Sequence, residues 1–132
     1  MSSEKKLVFI YNANSDFINL FKDFWHKLLK PSTYQCNLCL QTYGNYGMKK
    51  EWKKFINGLN INVEFLHKNE FEEKYKISDV KFPSAFIEQY DSLDLLISQN
   101  EMNAVNSIDK LKNLVDSKLK DFILIKLKKK VE

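Results

Sequence analysis

Glycine, proline, cysteine and histidine are all scarce in this 132-residue chain, which holds three Gly, two Pro, two Cys and two His. So few turn formers argue against a loop-rich β-sandwich. No apolar stretch reaches the ~18 residues that a membrane-spanning helix needs. Met1-Ser-Ser-Glu-Lys-Lys6 leads straight into a short apolar run with no small-residue cleavage site after it. A signal peptide is therefore not expected, and the cytosol is the expected compartment. The chain also lacks a Gly-rich phosphate loop and a Gly-x-Ser-x-Gly elbow. Asp16, Asp23, Glu51 and Glu64 are scattered and form no spaced acid–base pair.

Core material is plentiful. Apolar residues make up 44% and aromatics 14%, including ten Phe, six Tyr and two Trp. A single domain spanning 1–132 with one core is expected, and disorder is not. The net charge is +4, from 21 basic and 17 acidic residues. Much of the excess lies in Lys126-Leu-Lys-Lys-Lys130. No recognition motif or aromatic-basic pattern accompanies it, so direct nucleic-acid binding is not expected. Neither is a membrane partner.

Hydrophobic spacing gives the element order. Leu7-Val-Phe-Ile-Tyr11 is a continuous apolar run, the pattern of a strand covered on both faces. Asn12 to Ser15 breaks it, and Ser15 caps a helix carrying Phe17, Ile18, Leu20, Phe21, Phe24, Trp25, Leu28 and Leu29. Pro31 ends that helix or starts the next turn. Ser32 to Thr42 reads as a short helix, closed by Gly44 and Gly47, and Met48 to Leu59 as a second clear one. Ile61 to Leu66 alternates as a strand, and Asn69 to Tyr75 reads as a short acidic helix. Phe82 to Glu88 and Leu93 to Ser98 form a hairpin around Tyr90-Asp-Ser92. Ser107 caps a helix over Ile108 to Leu119, and Phe122 to Ile125 is either an extra edge strand or more of that helix. The two strands joined through helices should be parallel, with a right-handed crossover.

This order resembles the thioredoxin-like fold over residues 6–119. The resemblance implies an α/β domain with a central four-stranded mixed sheet flanked by helices. A helical Cys-x-x-Cys insert at 31–47 would lie between the first helix and the second strand, and 120–132 would be a basic C-terminal extension. Phe82-Pro83 falls where that family has a cis-proline before its third strand. His26-Lys27, Pro31, Thr33-Tyr34, Cys36-x-x-Cys39, Met48 and Trp52 also resemble small uncharacterised bacterial proteins, which implies no activity.

Cys36 and Cys39 are the candidate catalytic residues, since such a pair cycles between dithiol and disulfide. In thioredoxins the pair opens the helix directly after the first strand. Here Asn12 to Ser15 stands in that place and the cysteines come a helix later. The family's mechanism therefore does not carry over residue by residue, although the insert has room to fold back over the same sheet edge. A partner would be a protein or small-molecule thiol.

The same sulfurs suit zinc or another thiophilic metal, with His26 and His67 as supplements. The spacing His-x9-Cys-x2-Cys-x27-His matches no standard zinc finger. His26 lies about 140° from the centre of its helix's apolar stripe, on the polar side. His67 ends an interior strand at the edge where ligands collect in open α/β sheets, with a cap on the following turn or a bond to a backbone group as its alternative role. A third reading is a non-catalytic interaction domain, with Cys36 and Cys39 as small core residues. Tyr34, Tyr43, Tyr46 and Trp52 are read as filling between helices, and Lys49, Lys50, Lys53 and Lys54 as a solvated face.

Overall fold

The computed structural model describes residues 5–13, 36–44, 47–90 and 92–131, the last six as backbone. The expected Ser15–Leu29 helix, Pro31, Ser32, Tyr34, Tyr46 and His26 lie outside the described residues, as do Asp16 and Asp23.

Strand β1 (Lys6–Tyr11) is the spine of a mixed four-stranded sheet. It pairs in parallel with β4 (Asn62–His67), from Lys6 opposite Asn62 to Tyr11 opposite His67. On its other side it pairs antiparallel with β5 (Ser84–Gln89), and β5 continues into an antiparallel hairpin with β6 (Ser92–Ile97). The strand order is β4-β1-β5-β6. Both faces of β1 are buried, as its unbroken apolar run requires. Leu7, Phe9 and Tyr11 enter one core cluster, while Val8 and Ile10 enter the other.

The remaining elements cover those faces. Cys36 leads into α1 (Asn37–Thr42), followed by the small hairpin of β2 (Tyr43–Gly44) and β3 (Gly47–Met48). Gly47 turns there at φ +100°, a conformation that side-chain-bearing residues rarely adopt. Next comes α2 (Lys50–Asn57), which buries Trp52 and Ile56 and exposes Lys50, Lys53 and Lys54. On the opposite face, α3 (Lys68–Tyr75) buries Phe71 against Phe82 and Phe86. Helix α4 (Gln99–Ala104) and the long α5 (Ile108–Val131) close the first face through Met102, Leu111 and Val115.

Several boundaries differ from the sequence reading. β4 starts at Asn62 rather than Ile61, because its pairing with β1 begins at Lys6. β5 starts at Ser84 rather than Phe82, after Pro83, which has no N–H for the ladder. The Phe82–Pro83 bond is cis, as the resemblance implied. Ser98 belongs to no strand. It caps α4, taking the Glu101 N–H on its hydroxyl while its own N–H donates to Glu101 Oε1. That Ser-x-x-Glu capping box announces a helix which the sequence reading missed. Phe122 to Ile125 continues α5 rather than forming a strand.

A charge network lies at the α3 side of the sheet. Lys6 Nζ reaches Glu64 at 3.1 Å and Glu88 at 3.4 Å, and Lys74 Nζ reaches Glu64 at 3.0 Å. Burial alone would push the Glu64 carboxyl up. Hydrogen bonds and charge from Lys74 and Lys6 outweigh it and hold Glu64 below the ordinary carboxylate range. Burial, aided by Glu88, pushes the Tyr75 hydroxyl up to about 12. A depressed carboxylate contributes stability above its unfolded value and loses it as pH falls through its folded value. The urea midpoint should therefore fall as pH drops below about 4.3, and Glu64→Gln should flatten that decline. Urea titrations of both proteins across the acid range measure this.

Candidate active site at the end of the central strand

The cysteine segment folds back onto β1. The residue following that strand, Asn12, donates its backbone N–H to Cys36 Sγ at 3.3 Å. The contact spans 24 residues of sequence. Cys36 stands at the N-cap of α1, where its Sγ also accepts the Cys39 N–H at 3.3 Å. Cys36 and Cys39 are joined as a disulfide, with their Cα atoms 5.3 Å apart. The helix expected over Ser32 to Thr42 starts only at Asn37 among the described residues, so Cys36 caps it and only Cys39 lies within it.

Two N–H groups on one sulfur set the electrostatics of the pair. Such donors stabilise negative charge on Cys36 Sγ when it stands as a thiolate. Of the two sulfurs, Cys36 Sγ is thus the one that backbone donors are placed to support as a thiolate. Exposure is very low, 2% for Cys36 and 1% for Cys39. Exchange with a partner thus requires the segment 36–44 to open, or the partner to displace what covers it.

The residues around the pair fix it to the rest of the fold. Asn37 Nδ2 donates to the carbonyls of Met102 at 2.8 Å and Val105 at 2.7 Å, which ties α1 to α4. Nothing local in the sequence distinguishes Asn37. Thr42, fully buried, donates its hydroxyl to the Leu38 carbonyl at 2.6 Å. Glu101 on the same α4 forms an ion pair with Lys118 of α5. Lys118, with the Ser98 N–H, holds the Glu101 carboxyl below the ordinary range.

His67 lies at the same end of the sheet and on the same face. Val63, Phe65 and His67 alternate on β4 beside Leu7, Phe9 and Tyr11 of β1. The Tyr11 ring packs against His67 at 5.8 Å and against Tyr43, just after α1, at 5.6 Å. The Tyr11 and Tyr43 hydroxyls are 3.4 Å apart. Tyr11 thus stands between the end of the cysteine segment and the histidine.

The histidine itself turns to α3. His67 Nδ1 lies 2.5 Å from Glu70 Oε1, and its backbone N–H donates to the same oxygen at 2.8 Å. This is a capping box with histidine as the cap. Burial would raise the Glu70 carboxyl, but the backbone and ring of His67 outweigh it and lower it. Among the described residues, no group of three or more His, Cys, Asp or Glu side chains stands together as a metal site. Of the four residues in the metal reading, Cys36 and Cys39 are brought together, His67 is held by Glu70, and His26 lies outside the described residues.

No protein-family model, curated protein or solved structure matches the chain. Among the described residues, no helix is long and apolar enough to cross a membrane.

Proposed function

We propose that this chain is a thiol–disulfide redox protein built on a thioredoxin-like architecture, with Cys36 and Cys39 as its redox pair. One observation carries the reading: the Cys36–Cys39 disulfide lies against Asn12, with the Asn12 N–H donated to Cys36 Sγ. The pair sits late in sequence, yet it occupies the end of the first strand, where the resembled family keeps its dithiol. The parallel β1–β4 pair, the β5–β6 hairpin and Pro83 before β5 support the same resemblance.

The near-complete burial of both sulfurs favours a second reading, a non-catalytic interaction domain braced by the disulfide. A metal-binding role needs the reduced pair, and of its two histidines His67 is held by Glu70, so it ranks below both.

Equilibration in glutathione buffers, followed by rapid alkylation and mass measurement, separates the two leading readings. A redox pair should titrate as a two-electron couple at a potential between about −300 and −120 mV. A potential below about −300 mV would mark a structural bond and remove the redox reading.

A further inference from the structure

The end of α5 carries an apolar stripe that its own sheet does not use. The helix runs 24 residues, about 36 Å at the usual rise. Leu111, Val115, Leu119 and Phe122 join the core cluster, at spacings of four, four and three residues. Past Phe122 that seam stops. Lys126 and Lys129 occupy the positions where it would continue.

A second stripe begins at the same point. Ile123, Leu124, Leu127 and Val131 recur at helical spacing, about 140° around the axis from the core seam. Asp116 and Lys120 occupy that face earlier in the helix, which confines the stripe to the last turns. Ile123 is 46% exposed and Leu124 56%. Ile125, 54% exposed, falls off the stripe. Lys128 and Lys130 flank the apolar arc on its two sides. Beside it, a groove of about 570 Å³ is lined by Leu59, Ile61, Ile87, Leu119, Phe122 and Ile123, with Lys5 at its wall.

We infer that the last turns of α5 dock this protein onto an anionic lipid surface. The apolar arc enters the interface, and the flanking lysines remain at the level of negatively charged headgroups. Charge decides between occupants. Four lysines among residues 126–130 repel a second copy laid alongside in parallel, and they complement an anionic bilayer. The short apolar arc and the modest charge make binding reversible and sensitive to salt. The expectation of no membrane partner rested on the absence of a spanning segment, and a surface-lying helix needs none.

Co-sedimentation of the full chain with phosphatidylcholine vesicles, with and without phosphatidylglycerol, tests this. Binding should appear only on the anionic vesicles and fall as salt rises. Leu124→Ser/Leu127→Ser and Lys128→Glu/Lys129→Glu should each lower the partition constant by about tenfold or more. An unchanged urea midpoint would show that the variants remain folded. Failure to pellet with anionic vesicles, or equal pelleting with neutral ones, would overturn the inference. So would a concentration-dependent dimer in solution that the Leu124→Ser/Leu127→Ser variant abolishes, because a second copy would then be the occupant.

Discussion

Cys36→Ser is expected to abolish exchange with small disulfides, down to the rate of a protein-free control. Cys39→Ser is expected to behave differently, by accumulating a stable mixed disulfide on Cys36. The reason is the asymmetry of the pair, since two backbone N–H groups point at Cys36 Sγ. On the proposed redox reading, the Cys36 thiolate of the reduced protein attacks one sulfur of the substrate disulfide. That S–S bond breaks, and one substrate thiolate leaves. The Cys39 thiolate then attacks Cys36 Sγ and expels the second substrate thiolate. The protein loses two electrons and two protons, and the substrate gains them as two thiols. Without Cys39 the reaction halts halfway, and without Cys36 it does not begin. Mass spectrometry of acid-quenched samples distinguishes these outcomes.

Stability does not confound that comparison. The cysteines are three positions apart, so the closed loop is short. Losing the bond should cost about 2 kcal/mol by the loop-entropy relation. Both single variants lose the same bond and should be weakened alike. A difference in adduct formation therefore reports chemistry rather than folding.

Phe9→Ala is expected to be the most damaging single change in the core. Phe9 is fully buried at the centre of β1. Its ring lies 5.2 Å from Phe65 and 5.6 Å from Trp52, so it links the sheet to α2. Deleting a buried aromatic ring costs about 3–5 kcal/mol, or roughly 10–20 °C in Tm for a chain of this size. Trp52→Phe should cost less, although Trp52 is as deeply buried. Among the described residues the indole Nε1 has no hydrogen-bond partner, so its loss leaves no orphaned acceptor there. Urea unfolding at neutral pH measures both, and unchanged m-values would show that the unfolded states are comparable.

The legible parts of the fold were those with strong periodicity. Leu7 to Tyr11 announced a strand buried on both faces, and both core clusters use it. Trp52 and Ile56 announced the buried face of α2. Helix α4 was missed because Gln99 to Ala104 contributes a single buried apolar residue, Met102. Its only sequence signal was the Ser98-x-x-Glu101 box, which was instead absorbed into a strand. Phe122 to Ile125 was ambiguous because an apolar run of that length suits either element.

The candidate site was legible only as a list of residues. Cys36 and Cys39 stood out, as did His67 at the edge of the sheet. Their mutual arrangement depends on tertiary contacts that no local pattern encodes. The Asn12 N–H on Cys36 Sγ joins two segments distant in sequence, and so do the bonds from Asn37 to Met102 and Val105. For His67 two roles were open, a site residue or a cap on the following turn, and a nearby residue favours the cap. Glu70 stands three residues on, the spacing of a capping box, and it takes the histidine's nitrogen. A histidine at a sheet edge can thus serve the next helix rather than the neighbouring sulfurs.

The most direct measurement is the reaction of the reduced, natively folded protein with oxidised glutathione, followed by mass. The expected result is loss of two hydrogens from the chain, by way of a transient adduct on Cys36 that the Cys39→Ser variant retains. Thiols that stay unreacted in the native protein, and oxidise only once it is unfolded in denaturant, would contradict a redox role for this pair.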